Sequence, residues 1–140
     1  MTSGRYNVGV GLLTMAVFMA YGFLLIYLRD FAPGKEQWIA DYGVGKHFEA
    51  RLAHVHGNLF ALLNVGLGFV LARVRGSERL RAIAAVLGLV GLLMPTGILM
   101  EVYLGAPPIF VLIGAVAMTA SVALSGVLAL RGWIESPAEA

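Results

Sequence analysis

The chain has 140 residues, 59% of them hydrophobic and 13% charged, with no cysteine and a formal net charge of +2. Soluble domains carry about a quarter charged residues, so this composition, with a mean hydropathy of +0.84, marks an integral membrane protein. The lack of cysteine excludes disulfides, thiolate metal sites, thiol catalysis and covalent c-type haem attachment. The arginines gather in loops and leave no basic stripe for nucleic acid.

Four apolar runs reach spanning length, at Val8–Leu28, Leu52–Ala72, Ala82–Leu104 and Pro108–Leu130. Each supplies roughly 20 or more residues at about 1.5 Å per residue, enough for a hydrocarbon core of about 30 Å. Backbone in lipid must satisfy its own hydrogen bonds, so each run is a helix. The expected fold is all-α: one transmembrane four-helix bundle over residues 1–140. The first run is long for the apolar region of a signal peptide and no small-residue cleavage site follows, so a retained first helix is expected.

The first loop, Arg29–Arg51, balances Arg29, Lys35, Lys46 and Arg51 against Asp30, Glu36, Asp41 and Glu49. It holds a short interfacial helix at Glu36–Tyr42 and has the length of a lid. The turn between the second and third helices carries Arg73, Arg75, Arg79 and Arg81 against Glu78 alone, and Arg5 and Arg131 fall on its side of an alternating bundle. By the positive-inside rule that side and both termini are cytoplasmic, in a bacterial-type inner membrane, and the first loop faces outward. Trp38, Tyr42 and Phe48 are expected as outer-interface anchors and Trp133 as an inner one. Pro95 frees the carbonyl of Gly91 and should kink the third helix in its outer half. Rows of small residues (Gly57, Ala61, Asn64 and Gly68; Ala117, Ser121 and Ser125; Ala16 and Ala20) allow close helix approach.

The polar groups share one depth. His54, His56 and Asn58 lie in the outer half of helix 2, Thr96, Glu101 and Tyr103 in that of helix 3, and Tyr21 and Tyr27 in that of helix 1, while the inner halves are almost purely aliphatic. Ionisable groups in a membrane are costly and mark function. On a helix His54 and His56 point about 200° apart, so the two cannot grip one metal ion, whereas His54 and Asn58 share a face. A single neutral imidazole ligating a haem iron fits this spacing, with apolar walls from Leu59, Phe60 and Leu63, and with Arg51, Lys46 and Arg29 near the outer surface to hold the propionates. Either histidine satisfies that pattern. Histidines near a helix end also serve simply to reach interfacial water, and Asn64 serves equally as interhelical hydrogen-bond glue.

The stretch from Ala53-His54 to Phe69-Val70-Leu71-Ala72-Arg73 resembles, without gaps over about one helix, the second helix of styrene oxide isomerase, a four-helix membrane enzyme that binds haem b. The topology, long first loop and arginine-rich second loop are also similar. The resemblance implies haem b as cofactor, His54 as the axial iron ligand and a homotrimer; His56 stands second as ligand, with Phe60 and Arg51 in the cofactor's surroundings by the residue pattern above. It also implies a small hydrophobic substrate or gas ligand, and Lewis-acid isomerisation of an epoxide. Phe60 stands where the family has a catalytic asparagine, and the family's helix 3 tyrosine falls near Thr96, so Asn58, Thr96 and Tyr103 are the candidate catalytic partners. The His-x-His followed by Asn-Leu also resembles helices in small four-helix relatives of haem-copper oxidase subunit I. The leading expectation is a haem b-binding membrane protein, the alternatives an epoxide isomerase or a non-catalytic accessory subunit of a larger membrane complex.

Overall fold

The computed structural model describes residues 4–134, with side chains through Arg131. Trp133, expected as an inner anchor, lies outside the described side chains. Six helices follow in order: α1 (Arg5–Asp30), α2 (Lys35–Ala40), α3 (Gly45–Arg73), α4 (Glu78–Gly91), α5 (Leu93–Leu104) and α6 (Ile109–Ile134). Among the described residues there is no strand. Four helical stretches, Arg5–Asp30, Gly45–Arg73, Glu78–Leu104 and Ile109–Arg131, are long and apolar enough to cross a membrane, as the four hydrophobic runs require. The protein is a multi-pass membrane protein.

The third span breaks where the proline demands it. α4 ends at Gly91, the N–H of Leu92 turns back to the carbonyl of Leu89 at 3.1 Å, and α5 begins at Leu93 with Pro95 buried in its first turn. Proline lacks the N–H that would continue the ladder to Gly91. At its far end α5 stops at Gly105, whose left-handed φ of 67° suits a residue without Cβ.

α3 lies centrally. It packs against α1 on one side and against α4 and α5 on another, and α6 closes against α4 and α5. α1 is peripheral, and within it only Asn7, Gly11 and Phe18 are buried. Its seat on α3 is an antiparallel run of close approaches in which glycines make the room. A methyl group on Gly68 would press on the Gly4 carbonyl at 2.6 Å, and one on Gly11 on the Ala61 carbonyl at 2.8 Å. One on Gly57 would overlap the Phe18 ring, and one on Gly22 would meet the His54 ring. Phe60, Leu67, Leu71, Ala84, Ala85, Leu92, Met118 and Leu128 form the main apolar core, and Ala53, Ile98 and Val102 a second cluster towards the outside.

The inner part of the bundle is less purely aliphatic than the hydropathy pattern suggests. Asn7 and Asn64, both 0% exposed, face one another across α1 and α3. Nδ2 of Asn7 donates to Oδ1 of Asn64 and to the carbonyl of Ala85, each at 2.9 Å. Nδ2 of Asn64 donates to the carbonyls of Phe60 at 3.0 Å and Gly88 at 2.8 Å, and Ser121 Oγ donates to the carbonyl of Ala84 at 2.7 Å. Asn64 is thus interhelical glue, and these bonds tie α1, α3, α4 and α6 together in a region where lipid offers no competing partner.

Candidate functional site

Between the halves of α1 and α3 that adjoin the first loop runs a groove of about 560 Å³, within the range of about 300–1,000 Å³ that ligand sites occupy. α1 supplies an apolar wall of Met19, Gly22, Phe23, Leu25 and Ile26, with Arg29 at its outer end. α3 supplies a polar stripe of His47, Arg51, His54 and Asn58, and Tyr42 reaches in from the loop. The stripe follows from helix geometry, since residues four, seven and eleven apart return to one face.

His54 is the best-defined group in this stripe. Its Nδ1 lies 2.8 Å from the carbonyl oxygen of Phe18 on α1. A carbonyl only accepts, so Nδ1 carries the proton and donates it, leaving the Nε2 lone pair free. Nε2 makes no hydrogen bond among the described residues and is reachable from the groove. Gly22 creates the space for the ring, because a methyl there would stand 2.7 Å from Cε1 of His54. Asn58, one turn further, donates to the His54 carbonyl at 2.9 Å and so places its amide beside the imidazole.

His56 points elsewhere, as the spacing requires. Its Nδ1 donates to the Leu52 carbonyl of its own helix at 2.9 Å, its ring meets Phe60 edge-on at 6.1 Å, and it does not line the groove. Phe60 belongs to the core, Leu63 lines a separate apolar groove between α3 and α6, and Leu59 is exposed, so the groove's apolar wall comes from α1 instead. Thr96 donates to the Leu92 carbonyl within its own span at 2.8 Å. The Tyr103 hydroxyl shares a 2.9 Å hydrogen bond with that of Tyr21. Neither Thr96 nor Tyr103 lines the groove; Asn58 alone of that trio does.

The first loop lines one end of the groove through Tyr42. His47 is buried and stacked on Trp38, with ring centroids 4.4 Å apart and planes at 17°, and Tyr42 meets it edge-on at 5.3 Å. Nδ1 of His47 donates to the Trp38 carbonyl. The Arg51 guanidinium lies 3.7 Å from the centre of the Tyr42 ring and donates to the Tyr42 carbonyl at 3.1 Å. Arg51 has no carboxylate partner among the described residues, whereas Arg29 is paired with Asp30 at 2.8 Å. Trp38 therefore serves as a brace for the loop, while Tyr42 and Phe48 are exposed.

One group in the groove, His47, is not singled out by the sequence. His47 lies seven residues before His54, a spacing that places both on one helical face once α3 is known to begin at Gly45. Tyr21, which does not line the groove, is half-buried with its ring 6.3 Å from that of His54.

No cluster of three or more His, Cys, Asp or Glu side chains able to hold a metal ion occurs among the described residues. A haem iron does not need one, since the porphyrin supplies four donors and the protein one or two. Comparison with protein-family models, curated proteins and solved structures yields no match.

Proposed function

We propose that the groove between α1 and α3 binds haem b, with Nε2 of His54 as axial ligand to the iron. The observation that carries this is the bond from His54 Nδ1 to the Phe18 carbonyl. Ligating histidines characteristically donate their other ring N–H to a carbonyl or carboxylate, which fixes the tautomer and orients the ring. The rest of the groove suits the group. Met19, Phe23, Leu25 and Ile26 offer an apolar face, and Arg51, which has no carboxylate partner among the described residues, stands at the mouth, where it would hold a propionate.

When bound, the iron would supply an open position for a small ligand or for an oxygen-bearing substrate. Asn58 would lie beside it as a hydrogen-bond donor. Ligand binding is favoured over epoxide isomerisation, because of Asn58, Thr96 and Tyr103 only Asn58 lines the groove. By the arginine asymmetry, the groove opens to the outer side of a cytoplasmic membrane with both termini inside. Assembly as a homotrimer, which the resemblance to styrene oxide isomerase implies, belongs to the same reading. A pyridine haemochrome assay on protein purified from haem-replete cells should return one haem b per chain. A colourless protein that takes up no haem on titration would refute the proposal.

A further inference from the structure

We infer that His47 is the groove's second functional imidazole, a hydrogen-bond acceptor directed at a small ligand that carries an N–H or O–H donor on the side away from His54. The inference rests on the haem reading of the groove and adds the class of ligand to it. His47 and His54 are two helical turns apart on one face of α3, about 10.5 Å along the axis, and both line the groove. That separation leaves space for a ligand between them.

Three contacts hold the His47 ring. Trp38 covers one face, Tyr42 abuts it edge-on, and Nδ1 donates to the Trp38 carbonyl. This bond fixes the proton on Nδ1, so Nε2 is an acceptor. Nε2 makes no hydrogen bond among the described residues, yet it is not sealed off and the residue lines the groove. His47 is 4% exposed, and its Nε2 is left for a donor that enters the groove. The same arrangement recurs at His54: Nδ1–H on a backbone carbonyl and Nε2 left for the groove. The groove thus presents two pre-set neutral imidazoles, one placed to hold an electron-pair acceptor and the other to hold a hydrogen-bond donor.

Imidazole and 1-methylimidazole separate the two roles, because only the first keeps an N–H when its other nitrogen is ligated. Their affinities for the ferric haem-loaded protein are read from the Soret shift. The wild type should prefer imidazole by about tenfold, the worth of one hydrogen bond. His47→Phe, which keeps the aromatic stack, and His47→Asn, whose amide mimics only Nδ1, should lose that preference. His47→Gln, whose amide reaches the position of Nε2, should retain most of it. If His47→Phe fails to accumulate, the asparagine and glutamine variants decide. A preference unchanged in His47→Asn and His47→Phe, with the Soret band intact, would overturn the role of His47 and leave the haem site standing. Absence of any Soret band in the wild type would overturn both.

Discussion

Nδ1 of His54 lies 2.8 Å from the carbonyl oxygen of Phe18, and that single bond joins the candidate ligand on α3 to the neighbouring helix α1. It orients the imidazole, fixes its tautomer and makes the position of α1 a determinant of the site. Gly22 is the other half of the relationship, since its missing side chain leaves room for the ring.

Gly22→Ala therefore tests the coupling. The added methyl would lie 2.7 Å from Cε1 of His54, so the ring must turn and the bond to Phe18 must break. Loss of such an outer partner typically costs about 10–100-fold in affinity, and haem titration should show a fall of that order. Gly9→Ala, where a methyl meets nothing within 4 Å, should leave haem affinity unchanged.

At the mouth of the groove, Arg51→Gln should weaken haem binding selectively for the charged form. Wild-type protein should bind haem more tightly than haem dimethyl ester, which has no carboxylates, and Arg51→Gln should narrow that difference by about tenfold or more, as expected for a charge-assisted pair. Competitive titration of the two compounds measures it. Equal selectivity in both proteins would remove Arg51 from the site.

The asparagine pair is a matter of stability. Asn64→Ala leaves the Gly88 carbonyl without its side-chain donor and deprives Asn7 of one acceptor, and unfolding in mixed detergent should show a loss of about 1–2 kcal/mol. Asn7→Ala should cost less, because it also removes an Oδ1 that is buried without a partner. Both variants should bind haem as the wild type does, since neither residue lines the groove.

Tyr21 and Tyr103 link α1 to α5 across the outer end of α3 through their hydroxyls. A double-mutant cycle with Tyr21→Phe and Tyr103→Phe should give a coupling of about 0.6 kcal/mol, typical of interhelical bonds in membranes. A coupling indistinguishable from zero would mean that the two hydroxyls are each satisfied elsewhere.

The spans were legible because lipid permits so few structures: apolar runs of sufficient length must be helices. Their ends were less so. α3 starts at Gly45 rather than Leu52, because Lys46, His47, Glu49 and Arg51 are polar yet continue the helix above the apolar run, where hydropathy carries no signal. The break at Leu92 was readable from Pro95, whose missing N–H acts locally. The separation of His54 from His56 was readable for the same reason, since it depends only on helical pitch. What the chain did not reveal is the register between helices. Nothing near Asn7 announces Asn64 as its partner, and nothing near Tyr21 announces Tyr103. The groove's apolar wall was assigned to Leu59, Phe60 and Leu63, on the helix that carries the histidine, whereas the fold supplies it from α1. Such pairings depend on how whole helices slide and rotate against one another, here set by the glycine contacts along α1 and α3.

The central claim is that His54, not its neighbour two residues on, is the ligand. Absorption spectra of purified His54→Ala and His56→Ala, both checked for folding by thermal melting, test it most directly. His56→Ala should keep a normal Soret band and full haem content, and His54→Ala should lose the band, with partial recovery on adding free imidazole. A band that persists in His54→Ala and disappears in His56→Ala would contradict it.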